Sequence, residues 1–295
     1  MIEKTDLKTT SGTCVSEISA KPFLATASAE ELSAFIKRAG ESTYRAKQIY
    51  DWVNRKYITD PAQMTNISAA IKEKLREEFV CSALKVEKTE ECADGSRKLL
   101  ISLPDHETIE CAILGALDGR TTFCLSTQVG CPVRCVFCAS GASGFVRNLT
   151  AGEIVEQYLL CCRLVKKAPD NVVIMGIGEP LLNFDNLVKA LETICNPDGI
   201  ALAARRVTIS TSGWTRGIKQ LAEHGRQWNL AVSMHGGDDK TRAFLIPTKF
   251  RRDIREIIEA CKLHKAATGR LLTFEYVLLA GINDFLSAFR LFRAK

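Results

Sequence analysis

Three cysteines stand close together near the middle of the chain, in the sequence Cys131-Pro-Val-Arg-Cys135-Val-Phe-Cys138. Thiols at this spacing must converge on one centre. A structural zinc ion takes four ligands, usually as two separated pairs, and the sequence has no second Cys-x-x-Cys pair. A [4Fe–4S] cluster held by only three cysteines leaves one iron free to bind a substrate or cofactor. The spacing therefore favours an iron–sulfur cluster over zinc.

The chain has 295 residues, 46% of them hydrophobic, and twelve are cysteines. A chain this long can bury a large core without disulfides, so clustered cysteines indicate metal or redox chemistry in a reducing compartment. The N-terminal sequence is charged where a signal peptide needs an apolar core. No apolar run approaches the roughly 18 residues of a membrane span. We therefore expect a cytoplasmic protein that makes no use of a membrane.

Forty Lys and Arg residues against 34 Asp and Glu leave a net charge of +6. This excess is compatible with a nucleic-acid partner but does not require one. Four cations lie on one predicted N-terminal helix: Arg45, Lys47, Arg55 and Lys56. Such a face is typical of a solvated helix surface, and the alternative is a surface that contacts RNA.

A second motif, Gly178-Glu179-Pro180, follows the apolar run Asn171–Ile177. It therefore lies at the carboxyl end of a predicted strand. A carboxylate there suits an ammonium group, and glycine lets the backbone approach a ligand closely.

Short apolar runs alternate with helical patterns after residue 120, which predicts parallel strands joined by right-handed crossovers. This pattern fits a doubly wound sheet or a barrel, closed or partial. The predicted strands are 121–127, 171–177, 206–211, 229–235 and 272–279, and the helices are 151–167, 185–195, 215–224 and 252–265.

The N-terminal part has a different organisation. Residues 1–27 show no periodicity and are predicted to be a loose tail. Three amphipathic helices predict a helical accessory domain over 28–83, and period-two patterns predict a strand-rich connection over 84–120. The α/β part occupies 121–295. Ser28 with Glu31 and Thr150 with Glu153 are predicted capping boxes.

The cysteine triplet followed by Gly178-Glu179-Pro180 resembles the radical S-adenosylmethionine (SAM) superfamily. Further motifs resemble the RlmN-type rRNA (adenine-C2)-methyltransferases within it, over about residues 28–284. They are Tyr44-Arg-Ala-Lys-Gln48-Ile-Tyr-Asp-Trp52, Thr122-Phe-Cys124-Leu-Ser-Thr-Gln-Val-Gly-Cys131, Gly144-Phe-Val-Arg-Asn148, Arg206-Val-Thr-Ile-Ser210-Thr-Ser-Gly213, Ser233-Met-His235 and Phe274-Glu-Tyr-Val277.

The resemblance implies an α/β fold, a partial (β/α) TIM-like radical SAM barrel preceded by a small helical accessory domain. It also implies two cofactors, a [4Fe–4S] cluster and SAM, with Cys131, Cys135 and Cys138 as the cluster ligands. Glu110 would accept a proton, and Cys124 would form a transient disulfide that releases the product. The implied SAM-binding residues are Gly178, Glu179, Ser210, Ser233, Met234 and His235.

In the family, a second cysteine near the C-terminus is methylated by one SAM and then adds as a radical to C2 of an adenine. That adenine lies in 23S rRNA and, for many members, in a tRNA anticodon loop. The resemblance further implies an electron donor such as flavodoxin. We expect the protein to be a monomer.

The resemblance ends at Gly281-Ile-Asn-Asp284, and no cysteine follows. We therefore expect a truncated chain that lacks the last strand of the barrel and the methyl-carrying cysteine, so that its activity is in doubt. Cys161, Cys162 and Cys261 lie in helical patterns and are predicted to be buried packing residues rather than substitutes. The alternatives are an adenine-C8 rRNA methyltransferase and a non-catalytic remnant that binds the cluster and SAM.

Overall fold

An eight-stranded mixed sheet forms the centre of the molecule in a computed structural model that describes residues 21–285. The strand order is β1-β2-β3-β4-β7-β8-β9-β10, and β5 and β6 form a separate two-stranded hairpin. The strands are β1 Lys85–Glu91, β2 Arg97–Ser102, β3 Thr108–Gly115, β4 Thr121–Cys124, β5 Gln128–Gly130, β6 Phe145–Asn148, β7 Asn171–Ile174, β8 Val207–Thr211, β9 Asn229–Ser233 and β10 Leu272–Glu275.

Nine α-helices are found within residues 21–285, and the longer ones cover the sheet. They are α1 Ala29–Arg38, α2 Tyr44–Asn54, α3 Ala69–Glu78, α4 Ala139–Ala142, α5 Ala151–Val165, α6 Phe184–Cys195, α7 Thr215–His224, α8 Asp239–Leu245 and α9 Ile254–Thr268. None of the described helices is long and apolar enough to cross a membrane.

The sheet has a parallel and an antiparallel half. Strands β4, β7, β8, β9 and β10 pair in parallel, as the alternating strand and helix pattern predicts. Strands β1 to β4 pair antiparallel and extend the same sheet, so the segment predicted as a connection is part of the main sheet. This architecture is the predicted α/β fold with an N-terminal helical region.

Burial alternates along the central strands, because one sheet face packs on helices and the other faces the barrel interior. In β8, Val207 and Ile209 are fully buried, while Thr208 and Ser210 are partly exposed. Polar residues on the interior face are therefore available to a ligand.

Both predicted capping boxes are present, at Ser28 with Glu31 and at Thr150 with Glu153. They start α1 and α5 by satisfying backbone N–H groups that a helix leaves unpaired. Residues 1–27 are predicted to be a loose tail, but the last residues of this segment are packed against the rest of the protein. Phe23–Ala27 are largely buried, and Leu24 N donates to Val80 O. The rest of that tail lies outside the described residues, apart from Lys21 and Pro22.

The N-terminal helices and the sheet share one hydrophobic core, which runs from Phe23 to Cys261. The sequence-based domain boundaries stay predictions, because the packing shows no gap at them. The expected burial of Cys161, Cys162 and Cys261 is confirmed.

The hairpin β5–β6 is held by a buried ion network. Arg147 makes two hydrogen bonds to the carboxylate of Glu153, at 2.8 and 3.0 Å, and one to Asp105 at 2.6 Å. Paired, bidentate geometry of this kind is what makes a buried guanidinium tolerable. The network fixes the hairpin to α5 and to the β2–β3 turn.

Candidate active site

The cysteine loop leaves β5 at Cys131 and ends at Cys138, the residue that precedes α4. Two backbone hydrogen bonds fix its path: Cys131 N donates to Gly144 O at 2.8 Å, and Val136 N donates to Leu245 O at 3.0 Å. The loop is therefore fastened to the β5–β6 hairpin on one side and to the end of α8 on the other.

A cavity of about 260 Å³ opens between this loop and the carboxyl ends of β7 to β10. Eight of the eleven predicted site residues line it: Cys131, Cys135, Cys138, Gly178, Glu179, Ser210, Ser233 and His235. The sequence predicted this meeting of the cysteine triplet with the glycine–glutamate motif. The structure brings them together from segments more than about 40 residues apart.

Glu179 is the most enclosed acid of the cavity, with 3% of its surface exposed. Its carboxylate accepts hydrogen bonds from Leu181 N at 3.1 Å, from Thr211 Oγ1 at 2.8 Å and from Ser212 N at 2.6 Å. Burial raises the pKa of Glu179, and these donors oppose the shift. The donors fix the orientation of the carboxylate before any ligand arrives.

Two glycines before Glu179 allow close approach of neighbouring chain segments. A Cβ atom on Gly176 would lie 2.5 Å from Ser126 Oγ and 2.7 Å from Ser126 N. Gly178 has φ +114°, and a Cβ there would lie 2.7 Å from Gln128 Cβ. Gln128 in turn accepts a hydrogen bond from Glu179 N at 2.8 Å. The glycines therefore let β5 support the motif directly.

Ser210 and Ser233 lie near the ends of neighbouring strands, and both hydroxyls donate to the same oxygen, Glu275 Oε2, at 3.0 Å. Glu275 ends β10 and lines the cavity. The motif around Glu275 carries part of the family resemblance, but the sequence alone assigned the residue no role. Its carboxylate has a second oxygen, so it is able to accept a further hydrogen bond from a ligand hydroxyl or ammonium.

His235 presents a defined donor to the cavity. Its Nδ1 accepts a hydrogen bond from Val277 N at 3.1 Å, and its ring packs edge-on against Phe137 with centroids 4.8 Å apart. Burial, followed by the charge of Arg242, lowers the pKa of His235 to about 4. The ring is therefore neutral at pH 7, and because Nδ1 accepts, the proton lies on Nε2.

Two buried residues to which the sequence alone assigned no role hold the strand ends around this histidine. Arg242 donates to the carbonyl oxygens of Ser212, Ser233 and Met234. Asn283 donates to His235 O at 2.7 Å. Both side chains are fully buried. Their contacts join segments that are separate in the sequence, so only the folded arrangement shows them.

Three predicted site residues do not line the cavity. The Met234 side chain is fully buried in the hydrophobic core, so only its backbone lies near the cavity. Cys124 ends β4, next to Met175 of the cavity wall, whose backbone hydrogen-bonds to the thiol, and burial raises the pKa of that thiol to about 11. Glu110 lies on β3 with its side chain 45% exposed, and its carboxylate is 3.2 Å from Lys98 Nζ.

Glu110 and Cys124 nevertheless share one face of the sheet. Ala112 is the register partner of Cys124 in the β3–β4 pair, and Glu110 is two residues away on the same face. Diagonal neighbours of this kind lie about 7–8 Å apart. Ser126 connects this face to the cavity, because its hydroxyl donates to Glu110 O and accepts from Ile177 N at 2.8 Å.

The cysteine triplet fits an iron–sulfur cluster better than a single metal ion. Within residues 21–285, no three His, Cys, Asp or Glu side chains are arranged around one ion position. In a cubane cluster each thiolate binds its own iron, so wider spacing is required. Burial raises the pKa of Cys131 and raises that of Cys135 to about 12, and the charges of Glu179 and of neighbouring cysteines add to both shifts. These thiols therefore bind as thiolates only beside a cationic centre that offsets the cost of burying the charge.

Comparisons with known proteins agree with this geometry. Residues 125–288 match the family model of the radical SAM superfamily, and residues 23–81 match that of the ribosomal RNA large subunit methyltransferase N-terminal domain. The chain is 46% identical to a probable dual-specificity RNA methyltransferase RlmN from Thermotoga sp. (strain RQ2), over 88% of this chain and 75% of the relative. This chain belongs to the RlmN family of radical SAM methyltransferases.

Two further matches support the assignment to the family. A probable dual-specificity RNA methyltransferase RlmN from Clostridium perfringens (strain 13 / Type A) is 41% identical, over 86% of this chain and 74% of the relative. The crystal structure of a radical SAM methyltransferase from Sphaerobacter thermophilus superposes with a TM-score of 0.87 at 35% identity, covering 92% of this chain and 81% of that one. Membership of the superfamily implies a [4Fe–4S] cluster and SAM as cofactors.

Proposed function

We propose that this chain is a methyltransferase that acts on C2 of an adenine in 23S rRNA and on an adenine in a tRNA anticodon loop. The observation that carries the proposal is the shared cavity. Three cysteines, Glu179 and the Ser210–Ser233–Glu275 group all line it, and the sheet face with Glu110 and Cys124 lies beside it.

In this proposal Cys131, Cys135 and Cys138 hold the cluster. Glu179 lies on the same cavity wall and offers a fixed negative charge to the ammonium group of SAM. Glu275 accepts from the hydroxyls of Ser210 and Ser233, and the Nε2–H of His235 donates into the cavity. Cluster and SAM together supply a radical able to remove an unactivated hydrogen.

The chemistry at adenine C2 explains the two remaining residues. That carbon is electrophilic and has no acidic hydrogen, so direct displacement of the methyl group of SAM fails there. Addition of a carbon radical circumvents this, but it leaves a protein–RNA adduct that must lose a proton and be released. Glu110 is the proposed base, and Cys124 the proposed thiol that releases the product.

A second thiol is required for the methyl-cysteine intermediate, and residues 262–295 contain no cysteine. Among the described residues, Cys261 is the last cysteine and is buried, with its pKa raised to about 12 by burial. It is a poor nucleophile in that state.

The test is anaerobic incubation of the reconstituted protein with reductant, SAM and protein-free 23S rRNA or tRNA, followed by mass spectrometry. We expect both 5′-deoxyadenosine and 2-methyladenosine. Deoxyadenosine alone would indicate a protein that binds the cluster and cleaves SAM without methylating. 8-Methyladenosine would overturn the C2 assignment. A protein that assembles no cluster would overturn the proposal as a whole.

A further inference from the structure

The cavity at the carboxyl ends of β7 to β10 is rich in groups that can carry negative charge. Its lining contains two carboxylates, Glu179 and Glu275, together with the three thiols of the proposed cluster site. Within the described part of the chain, no Lys or Arg belongs to this lining, and burial lowers the pKa of its histidine, His235, to about 4. A [4Fe–4S] cluster with three thiolate ligands is itself negative, so a side chain that compensates this charge has to lie behind the lining.

Arg242 is a cation directly behind this lining. It lies on α8 and is fully buried. Its guanidinium donates to the carbonyl oxygens of Ser212 and Ser233, which both line the cavity, and to that of Met234. These carbonyl groups lie at or just beyond the carboxyl ends of β8 and β9. The positive charge is therefore separated from the cavity only by the residues that line it.

Arg242 has no carboxylate partner of its own. The hydrogen bonds of its side chain all go to carbonyl oxygens, and it forms no ion pair within residues 21–285. The other buried arginine of the described residues, Arg147, is paired with both Glu153 and Asp105. A buried charge without a counter-charge is costly. The guanidinium of Arg242 therefore needs a negative group from elsewhere.

The cysteine loop offers such a group. Burial lowers the pKa of Arg242 to about 10, and the charge of Cys135 is the largest of those that oppose this shift, ahead of Asp239 and Glu179. The effect is mutual, because burial raises the pKa of Cys135 to about 12 and the charge of Arg242 partly offsets that rise. Arg242 thus stays protonated at pH 7, and its charge acts on the proposed cluster site.

Helix α8 also fixes the position of Arg242 relative to the loop. Leu245 follows Arg242 by three residues on this helix, and its carbonyl oxygen accepts a hydrogen bond from Val136 N at 3.0 Å. The Leu245 side chain belongs to a small buried cluster with Val133, against which Cys135 packs. The guanidinium and the thiols are therefore held by contacts within one packed unit.

We propose that Arg242 is the counter-charge of the cluster and makes reduction of the cluster easier. The inference rests on the proposed function, since it needs a cluster at the three cysteines. Reduction transfers one electron from an external reductant to a centre that is already negative, and no bond forms or breaks. A buried cation stabilises the reduced form more than the oxidised form, because the attraction grows with the negative charge. Arg242 acts in this way through its charge and not through its hydrogen bonds.

The alternative is that Arg242 serves only to hold the ends of β8 and β9 through its hydrogen bonds. Two substitutions separate the charge from the hydrogen bonds. Arg242→Lys keeps the positive charge but loses the planar set of donors, whereas Arg242→Gln keeps an amide donor but removes the charge. Both shorten the side chain and break hydrogen bonds, so a purely structural role predicts similar effects of the two.

The test is a redox titration of the reconstituted holoprotein without SAM or RNA. Titanium(III) citrate reduces the cluster in the presence of mediators, and electron paramagnetic resonance measures the reduced fraction at each potential. The matched control is Arg134→Gln, which removes an exposed cation next to Cys135 in the sequence. Glu179→Gln tests the sign of the effect, because it removes a negative charge from the cavity wall and leaves Arg242 unchanged.

We expect the ratio of reduced to oxidised cluster at a fixed potential to fall about tenfold in Arg242→Gln, which equals about 59 mV for a one-electron couple. In Arg242→Lys the ratio should stay within about threefold of that in the unmodified protein, because the charge is kept. Arg134→Gln should also change the ratio less than about threefold, because water and salt screen an exposed charge. Glu179→Gln should raise it.

Equal ratios for Arg242→Lys and Arg242→Gln would overturn the proposal and leave Arg242 a purely structural role. An effect of Arg134→Gln as large as that of Arg242→Gln, or a ratio that falls in Glu179→Gln, would also overturn it.

Cluster assembly gives a second readout. Assembly in Arg242→Lys but not in Arg242→Gln would support the proposal, because the two variants differ in the charge that they keep. Loss of the cluster in both variants would overturn it, since the retained charge would not have sufficed. Failure of the unmodified protein to assemble a reducible cluster would instead overturn the proposed function, and this inference with it.

Discussion

The two sides of Ser126 differ sharply in how their functional groups are held. On the cavity side, Glu179 is 3% exposed and accepts three hydrogen bonds. On the β3–β4 side, the Glu110 side chain is 45% exposed and its ion-pair partner Lys98 is 49% exposed. The cofactor side is built in advance, whereas the proposed substrate side is open to solvent.

This difference has a physical reason. A buried carboxylate is stable only when its oxygens are satisfied, so its position is determined by its donors. An exposed carboxylate is hydrated and needs no such partners. A buried carboxylate with fixed donors suits a cofactor that must bind in one pose. An exposed carboxylate is sufficient for a large RNA, because the RNA itself covers the site when it binds.

The largest effect should come from Glu179→Ala. Truncation leaves Leu181 N, Ser212 N and the Thr211 hydroxyl without their acceptor and removes the charge proposed to bind the SAM ammonium group. We expect the dissociation constant for SAM, measured by equilibrium binding to the reconstituted protein, to rise more than about 100-fold.

Glu192→Ala is the matched control, because Glu192 is a partly exposed acid on α6, away from the cavity lining. It should bind SAM as the unmodified protein does. If Glu179→Ala keeps SAM affinity within tenfold, the buried carboxylate does not contribute to binding and the cavity is misassigned.

Gly176→Ala should be the next largest change. The added methyl group would lie 2.5 Å from Ser126 Oγ and 2.8 Å from Leu125 C, and neither the strand end nor the backbone can move far. We expect the free energy of unfolding to fall by about 2–3 kcal/mol. Denaturant titration of both proteins measures it.

Gly115→Ala on the β3–β4 side provides the comparison. The nearest atom that its added methyl group would meet, Asp94 O, lies 3.2 Å away in the hairpin. The loss there should stay below about 1 kcal/mol, because the hairpin turns are exposed and can adjust. Equal losses at the two glycines would contradict the view that only the cavity side is tightly built.

Local patterns in the sequence are sufficient to predict much of the fold. The capping boxes at Ser28 and Thr150 are correct because their partners lie three residues away. Strand β1 cannot be predicted from such a pattern. Lys85–Glu91 is almost entirely exposed and mostly charged, so apolar and polar residues do not alternate along it. It exists because β2 supplies its hydrogen bonds.

Local sequence patterns predict only part of the candidate site as well. Cysteine spacing and the Gly178-Glu179 pair are local signals, and both predicted the cavity wall. Glu275 takes its position only when β10 pairs with β9, which brings it to hydroxyls 42 and 65 residues away. No spacing rule in a single sequence reports such a contact.

A smaller effect is expected from pH through His235. The pKa of His235 is lowered to about 4 in the folded protein. Between pH 6.5 and 4 this histidine is therefore protonated in the unfolded chain but neutral in the folded one. Stability should therefore fall as the pH drops through this window, by about 1 kcal/mol between pH 6.5 and 5.5 for this residue.

His235→Asn isolates that contribution, since asparagine tolerates the positive φ of 52° at this position. The unfolding free energy of the variant should lose about 1 kcal/mol less than the unmodified protein over the same pH interval. His264, whose pKa burial also lowers, is common to both proteins and cancels in the difference. An identical pH dependence for the two would show that His235 titrates normally.

The smallest effect on stability and on SAM affinity should come from Glu110→Gln, in contrast to the large effect expected from Glu179→Ala. The carboxylate of Glu110 is half exposed and its ion pair with Lys98 is on the surface, where such pairs contribute little. The substitution keeps the shape of the side chain, and the Glu110 carbonyl that accepts from Ser126 is unaffected. The denaturant midpoint should stay unchanged, and SAM affinity should change less than twofold, while any methyladenosine formed should decrease because the proposed base is gone.

A SAM affinity that falls with Glu110→Gln as it does with Glu179→Ala would mean that the two sides of Ser126 form one binding site, and the division between a prebuilt cofactor side and an open substrate side would have to be abandoned.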